Sequence, residues 1–110
     1  MNDRLLSLLG LCRRAGKLVI GFDPVKESIE TGKAEAVFEA KGISLNTQKK
    51  IRACAEGSPG LRYMELPRTK DEVSFSLGKT CAVLAVVDNG FADKLCELIK
   101  AEQKEGGNNL

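Results

Sequence analysis

Residues 81–87 (Cys81-Ala82-Val83-Leu84-Ala85-Val86-Val87) contain no charge and no hydroxyl. A strand with one wet face alternates apolar and polar side chains, so a run that is apolar throughout is a strand covered on both faces. Covering both faces requires helices on either side. For a 110-residue chain this predicts α/β architecture, a three-layer α/β/α sandwich around a four-stranded mixed sheet.

Helix signals and short apolar runs alternate along the rest of the chain. Residues 3–15 place Leu5, Leu8, Leu9 and Cys12 at helical spacing behind Asn2 or Asp3 as a cap. A strand is expected at Lys17–Ile20. Asp23-Pro24 then reads as a helix opening, with Asp23 as cap, Pro24 at the first helical position, and Val25 and Ile29 inward. Residues 34–40 form the next strand, and a helix from Ser44 or Asn46 to Ala55 turns Ile51 and Cys54 inward. After the Gly57-Ser58-Pro59-Gly60 loop comes a strand at Arg62–Leu66. Thr69 and Glu72 have capping-box spacing and open a short helix ending at Gly78. The last helix starts at Asp88 or Asn89 with Phe91, Leu95, Leu98 and Ile99 inside. Residues 1–102 thus make one domain without linker or repeat. Gln103–Leu110 lacks apolar periodicity and is expected to be a disordered tail.

Catalysis finds little support in these residues. The chain has no histidine, so the usual general base near neutral pH is missing. Cys12, Cys54, Cys81 and Cys96 are far apart and set among apolar residues, which marks core thiols rather than a zinc site, disulfide scaffold or nucleophile. Gly78-Lys79-Thr80 resembles the end of a phosphate-binding loop, but Val73 stands where its first glycine belongs. Its glycine also leaves a helix for a strand, the reverse of a P-loop. No catalytic residue, metal or cofactor is expected. No apolar run approaches the roughly 20 residues of a membrane span, and Arg13 and Arg14 interrupt the start too early for a signal peptide. The expected location is cytoplasmic.

Charge is unevenly spread. Residues 1–54 carry ten Lys/Arg against six Asp/Glu, and residues 55–110 carry seven against nine. A basic half suits a surface that faces a polyanion. With one Tyr, four Phe and no Trp, a base-stacking platform is not expected. The candidate point of contact is the turn at Gly21, where a glycine admits another backbone to a helix start with free N–H groups. Arg13, Arg14, Lys17, Lys26 and Lys33 lie near it in sequence.

Four segments are recognisable: Leu8-Leu9-Gly10-Leu11-Cys12-Arg13-Arg14-Ala15-Gly16-Lys17 through Gly21; Gly32-Lys33-Ala34; Ser44-Leu45-Asn46-Thr47-Gln48-Lys49-Lys50-Ile51; and Val86-Val87-Asp88-Asn89-Gly90-Phe91-Ala92. Together they resemble the bacterial YlxQ proteins of the ribosomal L-seven-Ae / L-thirty-e superfamily, over roughly residues 3–100 in one register. That resemblance implies an α/β/α sandwich that binds kink-turn or related internal-loop RNA without cofactor or catalysis. It also implies structured RNA as partner, ribosomal RNA included, in a ribosomal or translation-associated setting.

In the family's strong RNA binders the turn reads Gly-x-Asn-Glu-x-x-Lys, and the matching residues here are Gly21, Phe22, Asp23, Pro24, Val25, Lys26 and Glu27. Only the glycine is kept. Asp23 keeps an acceptor and loses a donor, Pro24 offers a base edge nothing polar, and Glu27 replaces a phosphate-binding lysine that Lys26 stands beside. The resemblance implies two further RNA-facing segments, at Lys41-Gly42 and at Lys79-Thr80-Cys81-Ala82. A protein-interaction module on the same fold is the competing expectation.

Overall fold

The computed structural model describes residues 3–107. Its elements in chain order are α1 (Arg4–Arg14), β1 (Leu18–Ile20), α2 (Phe22–Glu30), β2 (Ala36–Lys41), α3 (Leu45–Glu56), β3 (Arg62–Thr69), α4 (Lys70–Leu77), β4 (Val83–Val86) and α5 (Asn89–Gly107). The four strands form one sheet in the order β1-β4-β2-β3. β4 runs antiparallel to both β1 and β2, whereas β2 and β3 are parallel, so the sheet is mixed.

Of the apolar run 81–87 only Val83–Val86 form a strand; Cys81 and Ala82 belong to the loop before it, and Val87, half-buried like Ala82, follows it. All four residues of β4 are buried, with a strand on each side. Alternation along the pleat then sorts the core into two layers. Leu84 and Val86 join Leu5, Leu9, Phe38, Leu95 and Ile99 on the side of α1, α4 and α5. Val83 and Ala85 join Val25, Ile29, Val37 and Ile51 on the side of α2 and α3. The result is the expected α/β/α sandwich. Phe38 is fully buried at its centre, and a side chain of that size contributes roughly 1.5–3 kcal/mol by leaving water.

Local signals set most boundaries. Asp3 caps α1 by accepting from Leu6 N at 3.0 Å; Asn2, the other candidate cap, lies outside the described residues. Ser44 caps α3, and Thr69 with Glu72 forms the capping box of α4. Asp88 accepts from Phe91 N at 2.9 Å and so opens α5.

Four expectations are corrected. The cap of α2 is Gly21 rather than Asp23: the Gly21 carbonyl accepts from Val25 N at 3.0 Å, so helical turning begins at Phe22. Pro24 therefore sits third in the helix, still within the first turn, where its missing N–H has no intrahelical bond to lose. β3 continues past Leu66 to Thr69 although it contains Pro67. It is an edge strand, and its register with β2 shifts between Glu39 and Lys41, a break that tolerates a residue unable to donate. Cys54 is half-buried at the rim of the α2/α3 core, whereas Cys12, Cys81 and Cys96 are buried.

The fourth correction concerns the tail, because α5 runs on to Gly107. Once a helix is nucleated each further residue adds a bond, and Ala101-Glu102-Gln103-Lys104 are good helix formers. Absence of apolar periodicity excluded burial there but not helix. Residues 108–110 of that expected tail lie outside the described residues.

Candidate functional site

Strand direction decides which turns meet. Because β1 and β2 are both antiparallel to β4, the ends of β1 and β2 lie beside the start of β4. Three connections therefore converge at one end of the sheet: Gly21–Asp23 after β1, Lys41–Ser44 after β2, and Lys79–Ala82 before β4. Backbone bonds join them. Gly21 N donates to Val83 O at 3.1 Å, and Ala40 N donates to Ala82 O at 2.8 Å.

Gly21 has φ 102° and ψ 157°, a region that essentially only glycine occupies. Added carbon there would meet only Pro24 Cδ at 3.7 Å, so the space before the turn is open. Of the four amides at the start of α2, Gly21 N is bonded and Pro24 has no hydrogen. Phe22 and Asp23 retain N–H groups that no side chain caps. Such a helix start favours an anionic ligand.

Exposed side chains stand on the three connections and on the start of α2. Asp23, Lys26, Lys41, Lys79 and Thr80 are exposed, and Phe22 is half-buried against the α2/α3 core. Gly78 ends α4 in the left-handed conformation, φ 70°, and Cys81 N donates to Ser74 Oγ at 2.9 Å, which fixes the loop carrying Lys79 and Thr80.

Beneath Lys41 lies a group that sequence reasoning missed. Glu39 is fully buried on β2, and its carboxylate accepts from Gln48 Nε2 at 2.5 Å and Arg52 Nε at 3.0 Å. These bonds pin the first turns of α3 to the strand. The Arg52 guanidinium also lies 5.8 Å from the centroid of the Tyr63 ring. Leu45, 63% exposed at the start of α3, was missed as well; an exposed leucine beside a polar turn was the available signal.

Several expected residues lie elsewhere. Lys17 O accepts from Val87 N, at the far end of β1 and β4. Lys33 follows α2, and its amide donates to Ser28 O at 2.9 Å, one helix length of about 13 Å from Gly21. Arg14 ends α1 at that same far end of the sheet. Arg13, by contrast, donates to Leu77 O, tying α1 to the end of α4 just before the loop of Lys79 and Thr80. Neighbourhood in sequence had grouped Arg14, Lys17 and Lys33 with the Gly21 turn, but a strand or a helix carries its two ends apart.

The three buried cysteines offer no nucleophile. Burial pushes the Cys12 and Cys81 thiols up to about 11 and raises Cys96 as well, so all three are protonated near neutral pH. Among the described residues no three His, Cys, Asp or Glu gather as metal ligands, and no helix is long and apolar enough to cross a membrane.

The chain is 37% identical over 103 residues to an Enterococcus faecium protein named RNA-binding protein YlxQ, covering 90% of this chain and 94% of that one. A Bacillus subtilis protein of the same name is 36% identical over 97 residues, covering 84% and 91%. No protein-family model matches. Among solved structures, a Bacillus halodurans protein of unknown function superposes with TM-score 0.80 at 27% identity, covering 90% of this chain and 99% of that one. A Giardia lamblia protein described as a 15.5 kD RNA-binding protein shares the fold, with TM-score 0.68 at 14% identity over 92% of this chain and 89% of its own.

Proposed function

From the premise that this chain belongs to the YlxQ family, we propose that it binds structured RNA through the three-turn end of its sheet. The RNA class is a kink-turn or related internal loop, and the setting is ribosomal or translation-associated. The observation that carries this reading is the uncapped start of α2 behind Gly21, with two free amides and exposed lysines, Lys26, Lys41 and Lys79, at the same end of the sheet. Amides and lysines suit phosphate, while the Asp23 carboxylate suits a base amino group. Arg14, Lys17 and Lys33 fall outside this surface, and Arg13 serves α4.

A second reading has one observation in its favour. Phe75 on α4 is 92% exposed, and Leu11 on α1 is 48% exposed, which suits a protein partner on the other helix layer. Salt separates the two readings. Several neutralised phosphates give a steep fall of affinity with salt, and an apolar protein contact does not.

The test is Gly21→Val, assayed by gel shift on a kink-turn RNA and on a plain hairpin, with circular dichroism as the folding control. The strained dihedral costs about 1–3 kcal/mol, within the reserve of a domain of this size. A folded Gly21→Val protein is expected to lose RNA binding, because the side chain stands before the two amides. Parental affinity in that variant refutes docking at the turn.

A further inference from the structure

α2 and α3 are neighbours in one layer, and both start at the three-turn end. Each follows a strand that finishes there, β1 and β2 respectively, and each leads back to the opposite end. Their charge is opposite. α2 carries one lysine, Lys26, among Asp23, Glu27 and Glu30, all exposed. Asp23 and Glu30 are three and four residues from Lys26, within reach across its own helix face. α3 carries Lys49, Lys50 and Arg52, with one acid, Glu56, at its final residue.

Lys49 and Lys50 are exposed, and neither is within ion-pair distance of a carboxylate among the described residues. Glu39, the acid beneath α3, is buried and already taken by Gln48 and Arg52. Lys49 lies four residues after Leu45, so the two share a face that begins at the candidate end. Lys49 is the fifth residue of α3, about 6 Å along its axis, as Lys26 is of α2.

We propose that the RNA backbone leaving the Gly21 turn runs along α3, with its phosphates held by Lys49 and Lys50, rather than along α2. The inference rests on the RNA reading above and assigns a phosphate track to that surface. It gives a physical reason for Glu27 to be tolerated: the side of the site where the phosphates run is α3, which has no acid before its last residue.

The test is the double variant Lys49→Ala/Lys50→Ala, titrated with a kink-turn RNA carrying a stem of about ten base pairs, from low to high salt. Removing two phosphate contacts is expected to lower the log–log salt slope by about 1.4–1.8 units and raise Kd roughly tenfold or more near physiological salt. Lys17→Ala/Lys33→Ala removes the same charge at the far end and is expected to change the slope by less than about half a unit. Melting curves confirm that each variant is folded. A folded Lys49→Ala/Lys50→Ala protein with parental slope and Kd overturns the α3 track alone, provided that Gly21→Val still loses binding. A parent that binds no structured RNA overturns the track and the RNA reading together.

Discussion

Arg68 joins three elements that are distant in sequence, and replacing it should show what that junction contributes. Its Nε donates to Asp3 Oδ2 at 2.7 Å and its Nη2 to Asp3 Oδ1 at 3.1 Å. Nη1 and Nη2 reach Glu102 Oε1 and Oε2 at 2.8 and 2.9 Å, and Nη1 also donates to Pro67 O at 2.6 Å. The Arg68 side chain is 16% exposed, while the Asp3 and Glu102 side chains are 31% and 36% exposed. Arg68→Met keeps the buried stem and removes every donor. A charge-assisted bond in a dry site contributes about 1.5–3 kcal/mol, but carboxylates this wet recover part of it from water. About 1 kcal/mol for each arm is the appropriate scale. Losing both arms costs about 2 kcal/mol, and at about 4 °C per kcal/mol Tm falls by about 8 °C at pH 7. The Arg68 hydrogen bonds, helped by the Leu6 amide, hold the Asp3 carboxyl below its ordinary value. A group depressed in the folded state stabilises fully above its unfolded pKa of about 3.9 and ceases to do so as pH falls through the lower folded value. The gap between parent and Arg68→Met should therefore be level from pH 7 to pH 5 and narrow below about pH 4. Calorimetry across that range tests both statements. A Tm difference below about 2 °C at pH 7, or a gap unchanged at low pH, refutes the argument.

Two further outcomes are expected. Glu27→Lys exchanges an exposed acid on α2 for a cation beside the docking end; kink-turn affinity should rise and the salt slope should steepen by up to about one unit, measured by the same titrations. A chain ending at Glu102 leaves that residue at a fraying helix end and weakens one arm of Arg68, so Tm should fall by about 4 °C; an unchanged melting curve would show that residues 103–107 do not hold Glu102 in place.

The fold was legible where a single segment contains its own constraint. The run 81–87 demanded cover on both faces whatever its neighbours were. The capping box at Thr69 and Glu72 closes with Glu72 N to Thr69 Oγ1 at 3.2 Å and Thr69 N to Glu72 Oε1 at 2.9 Å, as the spacing required. At the candidate site the Gly21 turn was legible from its own residues, because a backbone-restricted glycine before a helix marks its own turn. Lys41 and Lys79 came from the family resemblance alone, and Arg14, Lys17 and Lys33 were misgrouped, since placement depends on which strands pair and in which direction. Lys17 and Gly21 flank the three residues of β1 and so occupy opposite ends of the sheet. Lys41 and Lys79 are distant in sequence and share one end with Gly21 because β4 returns antiparallel to β2. Glu39 hid for the same reason. An acid in a strand reads as a residue facing water, and its partners Gln48 and Arg52 arrive only when α3 folds back over β2.

The three-turn end of the sheet is assembled from parts that do not depend on its exposed side chains. Gly21 N to Val83 O, Ala40 N to Ala82 O and the left-handed Gly78 fix the three turns through the backbone. None of these uses the side chains of Asp23, Pro24 or Glu27, which are exposed. Substitution at those positions comes at little cost to the fold, because exposed residues with no buried partner alter stability by only about half a kcal/mol. α3 differs, since its first turns are locked to the buried Glu39 through Gln48 and Arg52. A lysine on α3 is therefore displayed from a helix whose position is fixed independently of any ligand. A phosphate contact made there loses less freedom on binding than one made by a mobile loop.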